Sequence, residues 1–354
     1  MHNYAVDMIR ILAMYGIVCI HYLAHGGFLL HTAVLSTNWM LSWFLYSFVQ
    51  ISVNVFVIIS GYFLVKRNNF SWRKVFKIWL EVAFYSVTIS LLFYSNGEAT
   101  FKDVLISFMP IKFTAYWFVP VYIALYILSP YLSKLGNALS LQEYRKFLSI
   151  LIGLFSVYSF YTEPFGKVGG NITGITWFVV LFFIGGYIAR FSPLANIKTA
   201  RLGVLYLFGV IGLFAIHCSI NFITPDFATK LGERLYYINS PFVLFNSVTF
   251  FLLAIRLNYK SGKIRSIIKS VSALSFAVYL LHENSHISGM IWRDVFLTET
   301  YWESNGFLLN FIFSTLSVYI VCTFIEFARK KILFPLIVNG YCSIKIYWNK
   351  YGNC

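Results

Sequence analysis

Four polar side chains interrupt the first apolar run of the chain, residues 5–25: Asp7, Arg10, His21 and His25. An ionisable group in hydrocarbon costs about 3 kcal/mol or more and is kept where it acts. Arg10 and His21 are eleven residues apart. In an α-helix that is three turns and about 16 Å of rise, so both side chains point the same way. Asp7 lies one turn before Arg10 and His25 one turn after His21, which lets all four share one stripe facing away from lipid. An imidazole titrates near neutrality and takes a proton from a hydroxyl, so His21 suits a general base. A guanidinium keeps its proton and grips phosphate or carboxylate through a planar fork, so Arg10 suits an anion holder, with Asp7 orienting it. One helix carrying a base at one end and an anion site at the other fits group transfer from an activated donor to an acceptor hydroxyl.

The elements that must position these groups are membrane helices. Of the 354 residues 59% are hydrophobic and 12% charged, with mean hydropathy +0.71, against about 25% charged in soluble domains. Hydrophobic stretches fall at about 5–25, 42–65, 76–95, 116–133, 147–162, 174–190, 202–222, 238–257, 271–291 and 307–328, each near the ~20 residues a spanning helix needs. The expected fold is all-α: one transmembrane domain over residues 1–354, a bundle of about ten helices with a basic cytoplasmic tail at 329–354. Arg10 breaks the first apolar run and no basic segment precedes it, so it reads as an uncleaved span rather than a signal peptide. Of the 28 basic residues, 21 fall in alternate loops and the tail and six in the intervening loops, which puts both termini on the cytoplasmic side of the cell membrane. The net charge of +15 is therefore topology, and no nucleic-acid partner is expected. The five cysteines, Cys19, Cys218, Cys322, Cys342 and Cys354, show no metal spacing.

The segment from Lys66 to Lys77 is rich in cations, either as a cytoplasmic anchor or as a site for a phosphorylated ligand, with Glu81 placed to pair with Lys77. His217 stands alone in the seventh stretch, and Asn246 and Ser247 sit mid-membrane in the eighth as helix-to-helix glue. The ninth runs Ser275-Phe276-Ala277-Val278-Tyr279-Leu280-Leu281 into His282-Glu283-Asn284 and His286. His282 and His286 would share one helical face beside Glu283, but no third ligand accompanies them and no metal is expected.

These residues resemble the membrane-bound acyltransferase family 3 of O-acyltransferases. Its hallmark is an arginine and a histidine separated by ten residues in the first helix, matched by Asp7-Met8-Ile9-Arg10 and His21. The run Asn54 to Tyr62, ending Ser60-Gly61-Tyr62, is similar to the end of the family's second helix. Trp117-Phe118 to Pro130 and the Ser275 to His282 run are similar to two later motifs, in the right order. Arg73-Lys74-Val75-Phe76-Lys77 stands where the family has arginines and a following proline, and Glu283 stands where a proline usually follows the last histidine. The resemblance implies transfer of an acyl group, most often acetyl from acetyl-CoA, to a hydroxyl of a surface or extracellular glycan. Arg10, Arg73, Lys74 and Lys77 would then hold the acyl-CoA, and His21 would act as base or acyl relay. His282 and Glu283 would line the acceptor side. No permanently bound cofactor is implied, and no segment is long enough for the fused hydrolase-like domain that many members carry. The alternative from the residues alone is a glycan exporter or flippase; against it stand the absence of an internal repeat and the few intramembrane charges.

Overall fold

The computed structural model describes residues 2–67, 69–113, 116–162, 172–223, 231–259 and 261–333. Lys167, Lys230, Lys260, Cys342, Cys354 and the expected tail beyond residue 333 lie outside them. Among the described residues the chain is helical and carries no strand. Eight helical segments of these described residues are long and apolar enough to cross a membrane. They are α1 (Tyr4–His25), the pair α2 (Thr37–Val49) and α3 (Ser52–Leu64), α4 (Trp72–Ser95), α5 (Phe118–Ala138), α7 (Ile172–Phe191), α8 (Thr199–Ile223), the pair α10 (Gly262–Ser272) and α11 (Ser275–His282), and α12 (Phe307–Ala328).

Two of the ten expected spans are weaker. α6 (Leu141–Ile152) opens on a capping box between Ser140 and Glu143, so its first turn is charged. It continues through a π-helical turn at Gly153–Tyr158 to Ser159–Thr162. α9 (Pro241–Ala254) has only 14 residues, about 21 Å of rise, short of the ~30 Å hydrocarbon. The ninth expected span is displaced: it occupies 262–282 rather than 271–291. Lys263 and Lys269 are exposed on α10 while Ile268 and Ser272 are buried, and Arg265, on the buried face, packs over the Tyr4 ring at 5.3 Å. An amphipathic helix of this kind escapes a search for continuous apolar runs.

α1 is the hub, packed against α2, α3, α10, α11 and α12. α3 and α7 approach closely enough that a Cβ on Gly61 would lie 2.2 Å from the Phe182 carbonyl oxygen, and one on Gly185 2.3 Å from that of Ile58. Small residues let helices meet at backbone distance where the hydrophobic effect supplies no driving force. Fully buried Asn54 stitches this region: its Nδ2 donates to the Ile238 carbonyl at 2.7 Å and to Ser247 Oγ at 3.2 Å, and its Oδ1 accepts from Trp177 Nε1 at 3.0 Å. The Asn246 side chain is buried with no hydrogen-bond partner among the described residues. Glu81 faces Arg329 at 3.7 Å rather than Lys77.

Candidate active site

Arg10, Met14, Ile17 and His21 fall at i, i+4, i+7 and i+11 on α1, one stripe of the helix. Asp7 is buried and anchors the lower end. Its Oδ1 accepts from Arg10 Nη1 and from Ser272 Oγ, both at 3.1 Å, and its Oδ2 meets His2 Nε2. Arg10 is thereby fixed in azimuth, with the Phe63 ring 5.8 Å from its guanidinium carbon. It faces a cavity of about 390 Å³ that Arg67, Lys74, Ser60, Tyr122 and Tyr126 also line. Among the described residues three cations and no carboxylate line this cavity, a lining that would suit an anion. Arg73 and Lys77 are exposed on the same helix as Lys74 but do not line it. Arg67, which sequence reasoning treated only as part of a basic loop, does.

At the upper end His21 is held by residues more than 250 positions away. Its Nδ1 lies 2.8 Å from His282 Nε2 and 3.0 Å from Glu283 Oε2. His25 Nε2 reaches the same carboxylate oxygen at 3.2 Å. His282 is fully buried, and its Nδ1 meets the Val278 carbonyl. A carbonyl only accepts, so His282 Nδ1 carries the proton and its Nε2 is an acceptor when the ring is neutral. His21 Nδ1 must then be the donor to both His282 and Glu283, which leaves the proton-accepting lone pair of neutral His21 on Nε2. Burial alone would push the Glu283 carboxyl up, but the hydrogen bonds from His21 and His25 outweigh it and hold the group well below the usual carboxylate range. An ionised carboxylate behind Nδ1 stabilises the imidazolium that forms when Nε2 takes a proton.

His21 also lines a small cavity of about 40 Å³ with Met14, Ile17, Val53, Phe56, Trp117, Phe118, Phe276 and Tyr279. It sits one turn above the basic cavity on three helices at once. Met14 follows Arg10 on α1, Phe56 precedes Ser60 on α3, and Phe118 precedes Tyr122 on α5, each by four residues. Three aligned i, i+4 steps stack the two spaces along α1 with about 6 Å between them. His282 does not line this cavity; it lies behind His21 as a positioning group. Nor do His282 and His286 share a face, because the helix ends at His282 and His286 stacks on Phe93 with ring centroids 5.1 Å apart. The ligating atoms of His21, His25 and Glu283 lie within 4.8 Å of one another and are of types that could hold a metal ion. Their donors and acceptor already satisfy one another as hydrogen bonds.

Tyr116, just before the run that begins at Trp117, also serves the site: its hydroxyl donates to the Leu280 carbonyl at 2.6 Å and accepts from Asn284 Nδ2 at 3.0 Å. Leu280 is among the last carbonyls of α11, which have no partner within the helix. Tyr116 thus secures the helix end that presents Glu283.

A family model described as an acyltransferase domain matches residues 3–327. No curated protein and no solved structure matches the chain.

Proposed function

The chain belongs to acyltransferase family 3, and on that premise we propose that this multi-pass membrane acyltransferase moves an acetyl group from cytoplasmic acetyl-CoA to a hydroxyl of a surface or extracellular polysaccharide. The observation that carries the reading is the stacking of a basic cavity directly beneath a base whose ring orientation is fixed by His282 and Glu283. In this reading Arg10, Arg67 and Lys74 hold the anionic part of the donor, and the thioester end reaches upward along α1. The space at His21 is about 40 Å³, which favours a short acyl group over a long one. His21 Nε2 takes the proton of the acceptor hydroxyl as its oxygen attacks the thioester carbonyl. The C–S bond then breaks, and the proton passes from His21 to the departing thiolate. Glu283 offsets the transient positive charge on the ring throughout. The excess of cations on the Arg10 side supports a cytoplasmic donor, and the proposed setting is the bacterial cell membrane.

The test is transfer of labelled acetyl from acetyl-CoA to membranes containing the protein, with mass spectrometry of the host's surface glycan. His21→Ala is expected to abolish both signals at normal protein level, and Arg10→Ala to cut them sharply at donor concentrations below the unmodified protein's KM. Normal acetylation in either variant refutes the reading, and glycan export without acetyl transfer would replace it by transport.

A further inference from the structure

Acyl transfer at His21 leaves one charge unprovided for. When the acceptor oxygen bonds the thioester carbon, an electron pair moves onto the carbonyl oxygen, beside a histidine that is itself taking a proton. Among the described residues no Lys or Arg lines the space at His21. Arg10 stands three turns lower on α1, about 16 Å of rise away, and is tied to Asp7. The carboxylate of Glu283, behind His21, has the wrong sign. An oxyanion forming inside a bundle is stabilised by a hydrogen-bond donor already aimed at it, often the largest single contribution to the rate.

The walls of that space contain such a donor. Tyr279 lines it together with His21. On α11 Tyr279 precedes His282 by three residues, so both rings turn toward His21, with centroids 6.5 and 5.0 Å from it. Tyr279 is 5% exposed, and its hydroxyl has no hydrogen-bond partner among the described residues. Of the buried side chains left in that condition, it is the one that lines the His21 space. Tyr116, with its ring 5.7 Å away, has already spent its proton on the Leu280 carbonyl. Apart from His21, the other lining side chains are apolar except Trp117, which is half-buried.

The Tyr279 ring also packs against Phe118 at the start of α5, with centroids 6.1 Å apart. The Phe118 N–H is the first of that helix and has no partner within it. Val119 N–H is spent on the Tyr116 carbonyl at 3.0 Å, and Pro120 has none. The Phe118 N–H approaches the tyrosine oxygen without completing a hydrogen bond. From there it polarises the hydroxyl and leaves the phenolic proton unspent, and the positive end of a 21-residue helix favours negative charge just beyond it.

We propose that Tyr279 is a catalytic residue of the transfer, its hydroxyl donating to the thioester carbonyl oxygen with the N-terminus of α5 behind it. The assignment rests on the acyl-transfer reading. As the bond from the acceptor oxygen to the carbonyl carbon forms, the C=O pair comes to rest on the oxygen that Tyr279 holds. When the pair returns, the C–S bond breaks and the thiolate takes the proton from His21. Tyr279 keeps its own proton throughout.

Tyr279→Phe removes the hydroxyl and leaves the ring. That hydroxyl completes no hydrogen bond in the protein, so the Tm of the full chain in lipid nanodiscs is expected to be unchanged or higher. Single-turnover acetyl transfer is expected to fall at least about tenfold, toward the roughly 100- to 1,000-fold that loss of one oxyanion donor costs. The KM for acetyl-CoA should stay within about twofold, because the interaction strengthens only as charge develops. Isotope-edited infrared spectra of bound acetyl-CoA, labelled with ¹³C at the carbonyl, read the same contact before reaction: the stretch should lie lower in the unmodified protein than in Tyr279→Phe. A rate loss under tenfold, a lowered Tm that makes the hydroxyl structural, or one carbonyl frequency in both proteins overturns the assignment. If the unmodified protein transfers no acetyl, the functional reading fails and this assignment with it; normal transfer that Tyr279→Phe does not diminish sinks this assignment alone.

Discussion

Glu283→Gln isolates the charge behind His21. The glutamine keeps the size of the side chain and an acceptor oxygen for His21 Nδ1, while the negative charge disappears. At the observed 3.0 Å the attraction between a carboxylate and an imidazolium is about 5–6 kcal/mol at an effective dielectric constant of 20. Only part of that is lost in practice, because His25 shares the carboxylate and water reaches it from the outer side. A charge-assisted hydrogen bond is worth about 1.5–3 kcal/mol, and each 1.36 kcal/mol is tenfold in rate, so kcat is expected to fall about 10- to 150-fold. The loss should be smaller than the ~10⁴-fold seen when the orienting carboxylate of a serine-protease triad is neutralised, because His282 Nε2 at 2.8 Å still fixes the His21 tautomer. Removing both supports in Glu283→Gln with His282→Ala should bring the rate down to that of His21→Ala, more than the product of the single effects, since each support compensates for loss of the other. The assay is single-turnover acetyl transfer in nanodiscs with the KM for acetyl-CoA measured alongside. A kcat within twofold of the unmodified protein, in folded Glu283→Gln, refutes the argument that this carboxylate supports the base.

Arg10→Ala is expected to raise the KM for acetyl-CoA about 10- to 100-fold, by loss of a charged hydrogen bond worth 1.5–3 kcal/mol, and Lys74→Ala by less. Lys77→Ala, outside the cavity, should stay within about twofold, the range of an exposed charge; equal effects at positions 10 and 77 would dismiss the cavity as the donor site. Phe56→Ala enlarges the 40 Å³ space beside His21 and should shift the preference among acetyl-, propionyl- and butyryl-CoA toward the longer chains. Unchanged chain-length selectivity would show that the acyl group lies elsewhere. Tyr116→Phe leaves the Leu280 carbonyl and Asn284 Nδ2 without their shared partner, a cost of about 1–3 kcal/mol. Both Tm and kcat should fall, with donor KM unchanged. Treatment with EDTA should leave the transfer rate as it was, because His21, His25 and Glu283 complete one another's hydrogen bonds; loss of activity restored by added Zn²⁺ would make the trio a metal centre.

What the sequence disclosed about the site was confined to one helix. Arg10 and His21 announce themselves because both interrupt an apolar run and their spacing is a whole number of turns, a signal internal to α1. Eight of the ten expected stretches are long apolar helices for the same reason: hydropathy over about 20 residues is a local property. The failures share a cause too. The partners of His21 and His25 lie 261 and 258 residues away, beyond any periodicity. Arg67 and Lys74 cannot be separated from Arg73 and Lys77 by charge; only the packing of α4 and α5 around the basic cavity decides which cations face it. His217 has no polar neighbour in sequence, yet in space it sits between two tryptophans. α10 hid its buried face among Lys263, Arg265 and Lys269, which moved the expected ninth span nine residues too far along.

That displacement bears directly on the chemistry. In a continuous helix neighbouring side chains diverge by about 100°, so His282 and Glu283 cannot meet His21 along one direction. Both do reach it, at 2.8 and 3.0 Å: the His282 ring directly, and Glu283 through its side chain from the cap position of α11, where its N–H still bonds the Tyr279 carbonyl at 3.1 Å. Ending a helix inside the bundle leaves its last carbonyls to find partners elsewhere. Tyr116 meets that of Leu280, and His282 Nδ1 adds a bond to that of Val278. The second of these bonds is also the one that sets the His282 tautomer, and through it the nitrogen of His21 that is free to take a proton. The Tyr116 bond at the helix end and the His282–Val278 bond thus act on the two neighbours of His21, and loosening either is expected to impair the base without touching it.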